Sequence, residues 1–325
     1  MRTLACNTSY GHGGVGQHFA QLVEESRAAG MLDRYYAHRL RPGGDPHGRR
    51  LERPWWHTGL VRYTPIRFSP GWTNYLLNEL YDRRVARTFD SPTDRFMGFV
   101  GSALRSFQEA RRRGVDQCEL VAANSHVQQV KDRHDRACEQ HGIDDSWLNA
   151  AQVRKTLREY EAADTIYVHS RYTRHSFEHA GIDPTILTRT YLYVHPRFCP
   201  PDRRPEDDTF RIVYVGRVDA TKGIPLLFEA FSDLNIPQAR LTVVGGWSTR
   251  PMRTYVEKWL DQNSEICLAP GDPLPALHAA DVFVHPSYED GFGYAPMEAL
   301  SCGVPVLVTT DTGMKEYVGE GRNGF

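Results

Sequence analysis

The stretch Arg211-Ile212-Val213-Tyr214-Val215-Gly216-Arg217-Val218-Asp219-Ala220-Thr221-Lys222-Gly223-Ile224-Pro225 decides the fold. Arg211–Val215 reads as a strand closed by Gly216, and Pro225 suits the first turn of a helix expected over Leu226–Leu234. Two cations, Arg217 and Lys222, thus leave the C-terminal end of a strand, where open α/β sheets bind ligands. Arg217 can grip phosphate oxygens with a bidentate fork, and Lys222 adds a compact charge.

Working towards the C-terminus, strands are expected at Arg240–Val244, Asp281–His285 and Val304–Val308, with helices at Val256–Leu260 and Pro296–Ser301. Such alternation indicates a parallel α/β sheet. Within it stands Glu289-Asp290-Gly291-Phe292-Gly293-Tyr294-Ala295-Pro296-Met297-Glu298-Ala299. A glycine-rich turn leading into a helix is expected to point backbone N–H groups at a bound phosphate. Asp290 in the loop and Glu298, expected in the first helical turn, then face one cleft and accept hydrogen bonds from sugar hydroxyls. For Glu298 alone, a carboxylate that merely complements the helix dipole is the other reading.

Towards the N-terminus, a short strand ends near Asn7, and Phe19, Leu22 and Val23 mark a helix that stops at Gly30. Strands are expected at Tyr35–Leu40, Leu120–Ala123 and Thr165–His169, and helices at Asn74–Thr88 and Ala103–Arg112. Gly11, Gly13 and Gly16 satisfy the dinucleotide fingerprint, yet the second strand ends Ala37-His38-Arg39-Leu40-Arg41, without the acidic residue that holds a ribose. Three readings stay open: an NADP site using Arg39 or Arg41, a tight turn only, or helix N-terminal amides facing an anion. His195–Asp208, rich in proline and charge, is the best linker. The expected domains are 1–195 and 209–325, joined by 196–208.

A chain of 325 residues favours two domains, and 40% hydrophobic against 24% charged residues is a globular composition. Net charge is −1, so no global field points to nucleic acid. Six scattered cysteines without a C-x-x-C pair suit reduced thiols in a cytoplasm. Met1–Asn7 lacks the apolar run of a signal peptide, and no apolar run is long enough to span a membrane. Residues 41–75 are irregular and basic, with Arg41, Arg49, Arg50, Arg53, Arg62 and Arg67 among Trp55, Trp56 and Trp72. They are expected to form an acceptor face, a peripheral contact with anionic lipid, or an ordinary packed insertion.

Gly216, Arg217, Lys222 and Gly223, followed by Gly291, Phe292, Gly293, Glu298 and Ala299, resemble the donor site of the retaining family 4 glycosyltransferases. Asp290 stands where that family has the first glutamate of its E-x7-E pattern. Tyr167–Thr173 resembles the family's strand-serine segment, and Gly13 and Gly14 match its N-terminal glycine pair. The resemblance implies a GT-B fold: two Rossmann-like parallel-sheet domains facing a central cleft, acceptor side first and nucleotide-sugar side second. It implies that Gly13, Gly14, Gly216, Gly291, Phe292, Gly293, Tyr294 and Glu298 hold the donor. Catalytic roles fall to Arg217, Lys222, Asp290 and His126, the last set at a strand end in the N-terminal half and otherwise a surface or capping histidine. His134, His175 and His179 lie on polar helical stretches and are expected in solvent.

The implied reaction moves a hexosyl group from a UDP- or GDP-linked sugar to a hydroxyl acceptor with retention, the leaving diphosphate taking the acceptor's proton. Arg217, Lys222 and both glycine loops would stabilise the charge that grows on that diphosphate. No Asp-x-Asp motif occurs, so neither a metal nor another cofactor is expected. The family pattern runs past Phe325, so the C-terminal domain is expected to be incomplete. The other readings are an inactive nucleotide-sugar-binding protein and an NADP-dependent oxidoreductase.

Overall fold

A computed structural model describes residues 1–52, 63–64, 69–90, 92–143, 146–247 and 249–325. Arg53, Trp55, Trp56, Arg62 and Arg67 of the basic segment lie outside the described residues. The chain divides into two compact units.

The first unit comprises Met1–Gln128, Trp147–His169 and Arg174–Leu192. Its strands are β1 (Arg2–Ala5), β2 (Leu32–Ala37), β3 (Gly48–Arg50), β4 (Arg95–Phe99), β5 (Gln117–Val121), β6 (Thr165–Val168) and β7 (Leu187–Arg189). They form one sheet in the order β3-β2-β1-β4-β5-β6-β7, parallel at each pairing. The order reverses between β1 and β4, which makes that gap the switch point of the sheet. Helices α1 (Gly13–Ala28), α2 (Pro70–Thr88), α3 (Leu104–Arg112), α5 (Ala150–Ala162) and α6 (Arg171–His179) accompany the strands. Phe19, Leu22 and Val23 of α1 pack on Leu4, Tyr35, Met97 and Val121, so the helical spacing read in the sequence is the core face.

The second unit comprises Gln129–Ser146, Ser170–Thr173 and Tyr193–Phe325. Strands β8 (Phe210–Val215), β9 (Ala239–Val244), β10 (Ile266–Leu268), β11 (Val282–His285) and β12 (Val306–Val308) run in the order β10-β9-β8-β11-β12. All pairings are again parallel. Here the switch point lies between β8 and β11. Side chains alternate along β8: Tyr214 joins Leu241, Val243 and Phe228 in one core, while Val213 joins Phe283, Ala299 and Val306 in another. Helices α7 (Ile224–Ser232), α8 (Arg250–Gln262), α9 (Leu274–Ala279) and α10 (Tyr294–Ser301) complete the unit, together with most of α4 (Val127–His141). Residues 196–208, the expected linker, belong to this second unit.

The structure adds elements that the sequence hid. β4 carries Gly98, whose Cβ, if present, would stand 2.6 Å from Ala103 Cβ; the glycine lets the start of α3 pack against the strand. β3 and β7 hold only three residues each, too few for a periodic signal. Among the described residues no helix is long and apolar enough to cross a membrane.

Candidate functional site

The loops that follow β8 and β11 meet at the switch point of the second sheet. Backbone geometry admits only glycine at two places there. Gly223 has φ of 74°, and a Cβ on it would lie 2.0 Å from the Pro286 carbonyl oxygen. A Cβ on Gly245 would lie 1.8 Å from the Gly216 carbonyl oxygen, with φ at 157°. The β8 loop is tied down further by the Tyr214 hydroxyl, which donates to the Arg217 carbonyl at 2.8 Å.

Asp219 organises the two predicted cations. It is buried, accepts from the Thr221 hydroxyl and the Lys222 amide at 2.7 Å each, and receives the Arg217 guanidinium Nε. Burial would raise its pKa, but Arg217 and Lys222 outweigh that and hold it below the ordinary carboxylate range. Arg217 itself stays half exposed. Lys222 Nζ lies 2.8 Å from Asp290 Oδ2, and the His285 Nε2 sits 3.1 Å from that same oxygen. Burial works against the Asp290 charge too, yet Lys222 and His285 depress its pKa strongly. Lys222 moves the other way: desolvation disfavours its cation, and Asp290, Glu289 and Asp219 restore and strengthen it. Asp219 and His285 were not picked out by the sequence reading. The signal available for Asp219 was its position two residues after Arg217 and three before Lys222.

The glycine turn Gly291–Gly293 is held by its carbonyl. Gly291 O accepts from the Ser170 hydroxyl at 2.6 Å and from the Thr173 hydroxyl at 2.7 Å. The resemblance over Tyr167–Thr173 thus has a local cause, because those hydroxyls fix the turn. Gly293 precedes α10 with φ of 95°, and no side chain caps that helix end. Phe292 is buried against Tyr294 and Tyr317, at ring-centroid distances of 6.1 and 5.7 Å.

Some expectations need correction. α10 starts at Tyr294, so Glu298 is buried in its second turn and not in the first. Asp290 is engaged by Lys222 and His285, so its carboxylate serves the protein's own cation in this state instead of standing free for a sugar hydroxyl. His134 is buried, not solvated: it lies on the part of α4 that belongs to the second unit, among Asp219, Arg217 and Lys222, and burial lowers its pKa to about 3. His175 and His179 are exposed, as expected.

In the first unit, Gly13 and Gly14 are exposed at the start of α1, an end that no side chain caps. A Cβ on Gly16 would lie 2.5 Å from the Ser9 carbonyl oxygen, so this glycine serves close packing. His126 lies five residues beyond the end of β5, just ahead of α4. Its buried ring packs at 5.0 Å on Tyr160 and at 5.4 Å on Phe177, and burial lowers its pKa to about 4. Its Nδ1 has no hydrogen-bond partner among the described residues.

Residues 200–325 match the family described as Glycosyl transferases group 1. A GDP-mannose-dependent alpha-(1-6)-phosphatidylinositol monomannoside mannosyltransferase of Mycolicibacterium smegmatis is 30% identical over 213 residues, 57% of this chain and 54% of that protein. The capsular polysaccharide biosynthesis glycosyltransferase CapM of Staphylococcus aureus is 33% identical over 124 residues, 37% of this chain and 33% of CapM. The chain thus matches about half of these relatives' length or less. The sucrose-phosphate synthase structure from Thermosynechococcus elongatus superposes with a TM-score of 0.73 at 18% identity, covering 100% of this chain and 85% of that one. Anabaena HepE, solved with UDP and glucose, gives 0.63 at 18% identity with the same coverage. The fold is GT-B, and the likeness to group 1 glycosyltransferases covers residues 200–325.

Proposed function

We propose that this protein is a retaining glycosyltransferase that takes a hexosyl group from a UDP- or GDP-linked sugar and passes it to a hydroxyl acceptor. One observation carries the reading: Arg217 and Lys222 are both fastened to Asp219 at the switch point of the second sheet, beside an uncapped helix start. A preorganised pair of cations beside a helix N-terminus suits a diphosphate. Two of the similar proteins name the alternatives for the base, since one is described as GDP-mannose-dependent and another was solved with UDP.

In this reading the bond from the anomeric carbon to the β-phosphate oxygen breaks while the acceptor oxygen bonds to the same face. The acceptor's proton passes to the departing phosphate oxygen. Arg217 and Lys222 stabilise the charge that develops there, with the turn Gly291–Tyr294 contributing amides. Glu298 serves the donor sugar.

Thermal-shift titration with UDP, GDP, ADP and their hexose conjugates tests the donor, because a ligand bound only by the folded state raises the midpoint. Product analysis with a hexose conjugate then tests transfer. Stabilisation by NADPH with no response to any sugar nucleotide would overturn the assignment. Nucleotide-sugar binding without turnover in the presence of acceptors would leave a binding protein. Contact with a membrane surface through residues 41–75, where Arg49 and Arg50 are exposed, is the further part of this proposal. Salt-sensitive co-sedimentation with anionic liposomes checks it.

A further inference from the structure

From Gln129 onward α4 belongs to the second unit, and the chemistry proposed above leaves it without a role. Its C-terminal end is fixed by packing. Ala137 is fully buried, and Cys138 packs against the core that holds Ile143 and Tyr214. Gly142 follows the helix with φ of 62°. The Ile143 amide then donates to the Cys138 carbonyl at 3.0 Å, which turns Ile143 into that core. Arg133, Ala137 and His141 recur at every fourth position and so share one side of α4.

Two side chains of that stripe reach loops of the candidate site. His141 Nε2 and the Tyr288 hydroxyl share a hydrogen bond of 2.9 Å, and His141 Nδ1 lies 3.4 Å from Glu229 on α7. The His141 side chain is only 4% exposed, so water competes little for these contacts. Tyr288 stands two residues ahead of Asp290. Its amide donates to the Thr221 carbonyl at 2.9 Å, which joins the loop after β11 to the loop after β8 beside Lys222. About two turns earlier on α4, Arg133 donates to Asp311 at 2.9 Å. The Asp311 carbonyl accepts from the Asp290 amide at 3.1 Å, and the Asp290 carbonyl accepts from the Gly313 amide at 2.9 Å. Asp290 is thus bracketed by Tyr288 along the chain and by Asp311 across a backbone pairing, and both lead to α4.

We infer that α4 braces the donor loop, with His141 and Arg133 as positioning residues that act through Tyr288 and Asp311. The role rests on the donor reading above, since its purpose is to hold Asp290, and with it Lys222, ready for a diphosphate. A helix anchored in the core offers two fixed points about 12 Å apart. A loop released from them would take up the binding arrangement for only part of the time, and apparent affinity falls by that fraction. The chemical step in the bound state changes less.

Hydrogen-exchange mass spectrometry on the ligand-free protein, thermal-shift titration with UDP and GDP, and steady-state kinetics test the brace. Faster exchange over residues 286–293 is expected in His141→Ala, in Tyr288→Phe and, through Asp311, in Arg133→Ala. Nucleotide affinity should fall about three- to tenfold in each, the scale of one net hydrogen bond. Donor KM should rise by a similar factor, with a smaller change in kcat. The double variant of His141→Ala and Tyr288→Phe should be no worse than either alone, because both break the same bond. His141→Gln, whose carboxamide can still bond the phenol, should recover part of the loss. Tyr288→Phe removes a single oxygen and keeps a folded protein should His141→Ala prove unstable. Wild-type exchange over 286–293 in every variant, or a lowered unfolding midpoint with unchanged nucleotide affinity, overturns the inference and leaves the donor reading intact. Looser exchange in the variants of a protein that binds neither UDP, GDP nor their hexose conjugates sinks the donor reading and leaves α4 as a brace of the loop.

Discussion

Lys222 Nζ and Asp290 Oδ2 stand 2.8 Å apart and join the loop after β8 to the loop after β11. The lysine therefore meets an anion of the protein's own before any phosphate arrives. With His285 on the same oxygen and Asp219 holding the Lys222 amide, the ammonium is placed in advance. A diphosphate would take over a cation that needs no reorientation, which is the condition for effective electrostatic catalysis.

Lys222→Ala is expected to lower kcat by about 10²–10³. Lys222→Arg should not restore it, because a planar fork does not replace a compact ammonium. Asp290→Asn, which leaves a partly buried cation without its charge partner, should cost about 1–3 kcal/mol. Steady-state kinetics and urea unfolding measure the two effects separately; an Asp290→Asn protein as stable as wild type would remove the structural half of this argument.

Gly223→Ala and Gly245→Ala touch no charge, yet each should reduce both stability and nucleotide affinity. Their added methyl groups would meet backbone oxygens at 2.0 and 1.8 Å. Alanine at a positive-φ glycine costs more than the ~0.4–1 kcal/mol gained where the conformation is compatible. Gly246→Ala, with no atom within 4 Å of the new methyl, is the control expected to be mild.

Acid should destabilise the protein in a definite window. Burial lowers the pKa of His126 and His169 to about 4 and of His134 to about 3, against an ordinary value near 6.5. His18 lies perpendicular to His169 at 4.4 Å and is depressed as well, by burial first and then by that neighbour. Between pH 6.5 and about 4 the unfolded chain takes up protons that the folded chain refuses, so stability falls as pH falls. Each histidine contributes up to about 1.4 kcal/mol per pH unit. Unfolding free energies at pH 6 and pH 5 should differ less in His169→Gln than in wild type, by close to one proton's worth.

Lys155 bridges Glu79 at 3.1 Å and Asp82 at 2.9 Å in the first unit, all three side chains being buried. Asp82 also accepts from the amides of Arg105 and Ser106, at the start of α3. Lys155→Met would leave buried Asp82 without its cation, while Glu79 keeps Arg83 and Arg105, and should cost about 3–5 kcal/mol. A shift in the urea midpoint too small for that range would show the carboxylate finding water.

Transfer activity is expected to survive EDTA, because Arg217 and Lys222 are the cations that the reading assigns to the diphosphate. Assays with and without chelator check this, and abolition of turnover on chelation would contradict it.

The fold was legible because β8, β9 and β11 keep apolar runs closed by glycine or small residues, and because Phe19, Leu22 and Val23 mark a single helical stripe. β4 was hidden by Gly98, whose role lies in packing against Ala103. At the site, Arg217, Lys222 and Asp290 were picked out as charges leaving strand ends. Asp219 and His285 were not, although their partners Arg217, Thr221 and Lys222, and Asp290, lie close by in sequence; only the contact of Lys222 with Asp290 depends on the pairing of β8 with β11. His134 misled for a different reason. α4 is polar along most of its length, and nothing local in such a segment tells which side will be covered by residues nearly a hundred positions later.

The second unit draws its residues from three separate stretches, and Ile143 from the earliest of them lies in the same core as Tyr214 and Phe228. On the ribosome, that stretch emerges long before the strands it packs against. Until β8–β11 follow, Ile143 and the adjoining Cys138 have no native neighbours to cover them, which leaves an apolar patch open to chaperones or misassembly. A fragment begun at Tyr193 would inherit the opposite defect, a finished sheet whose core lacks one of its walls.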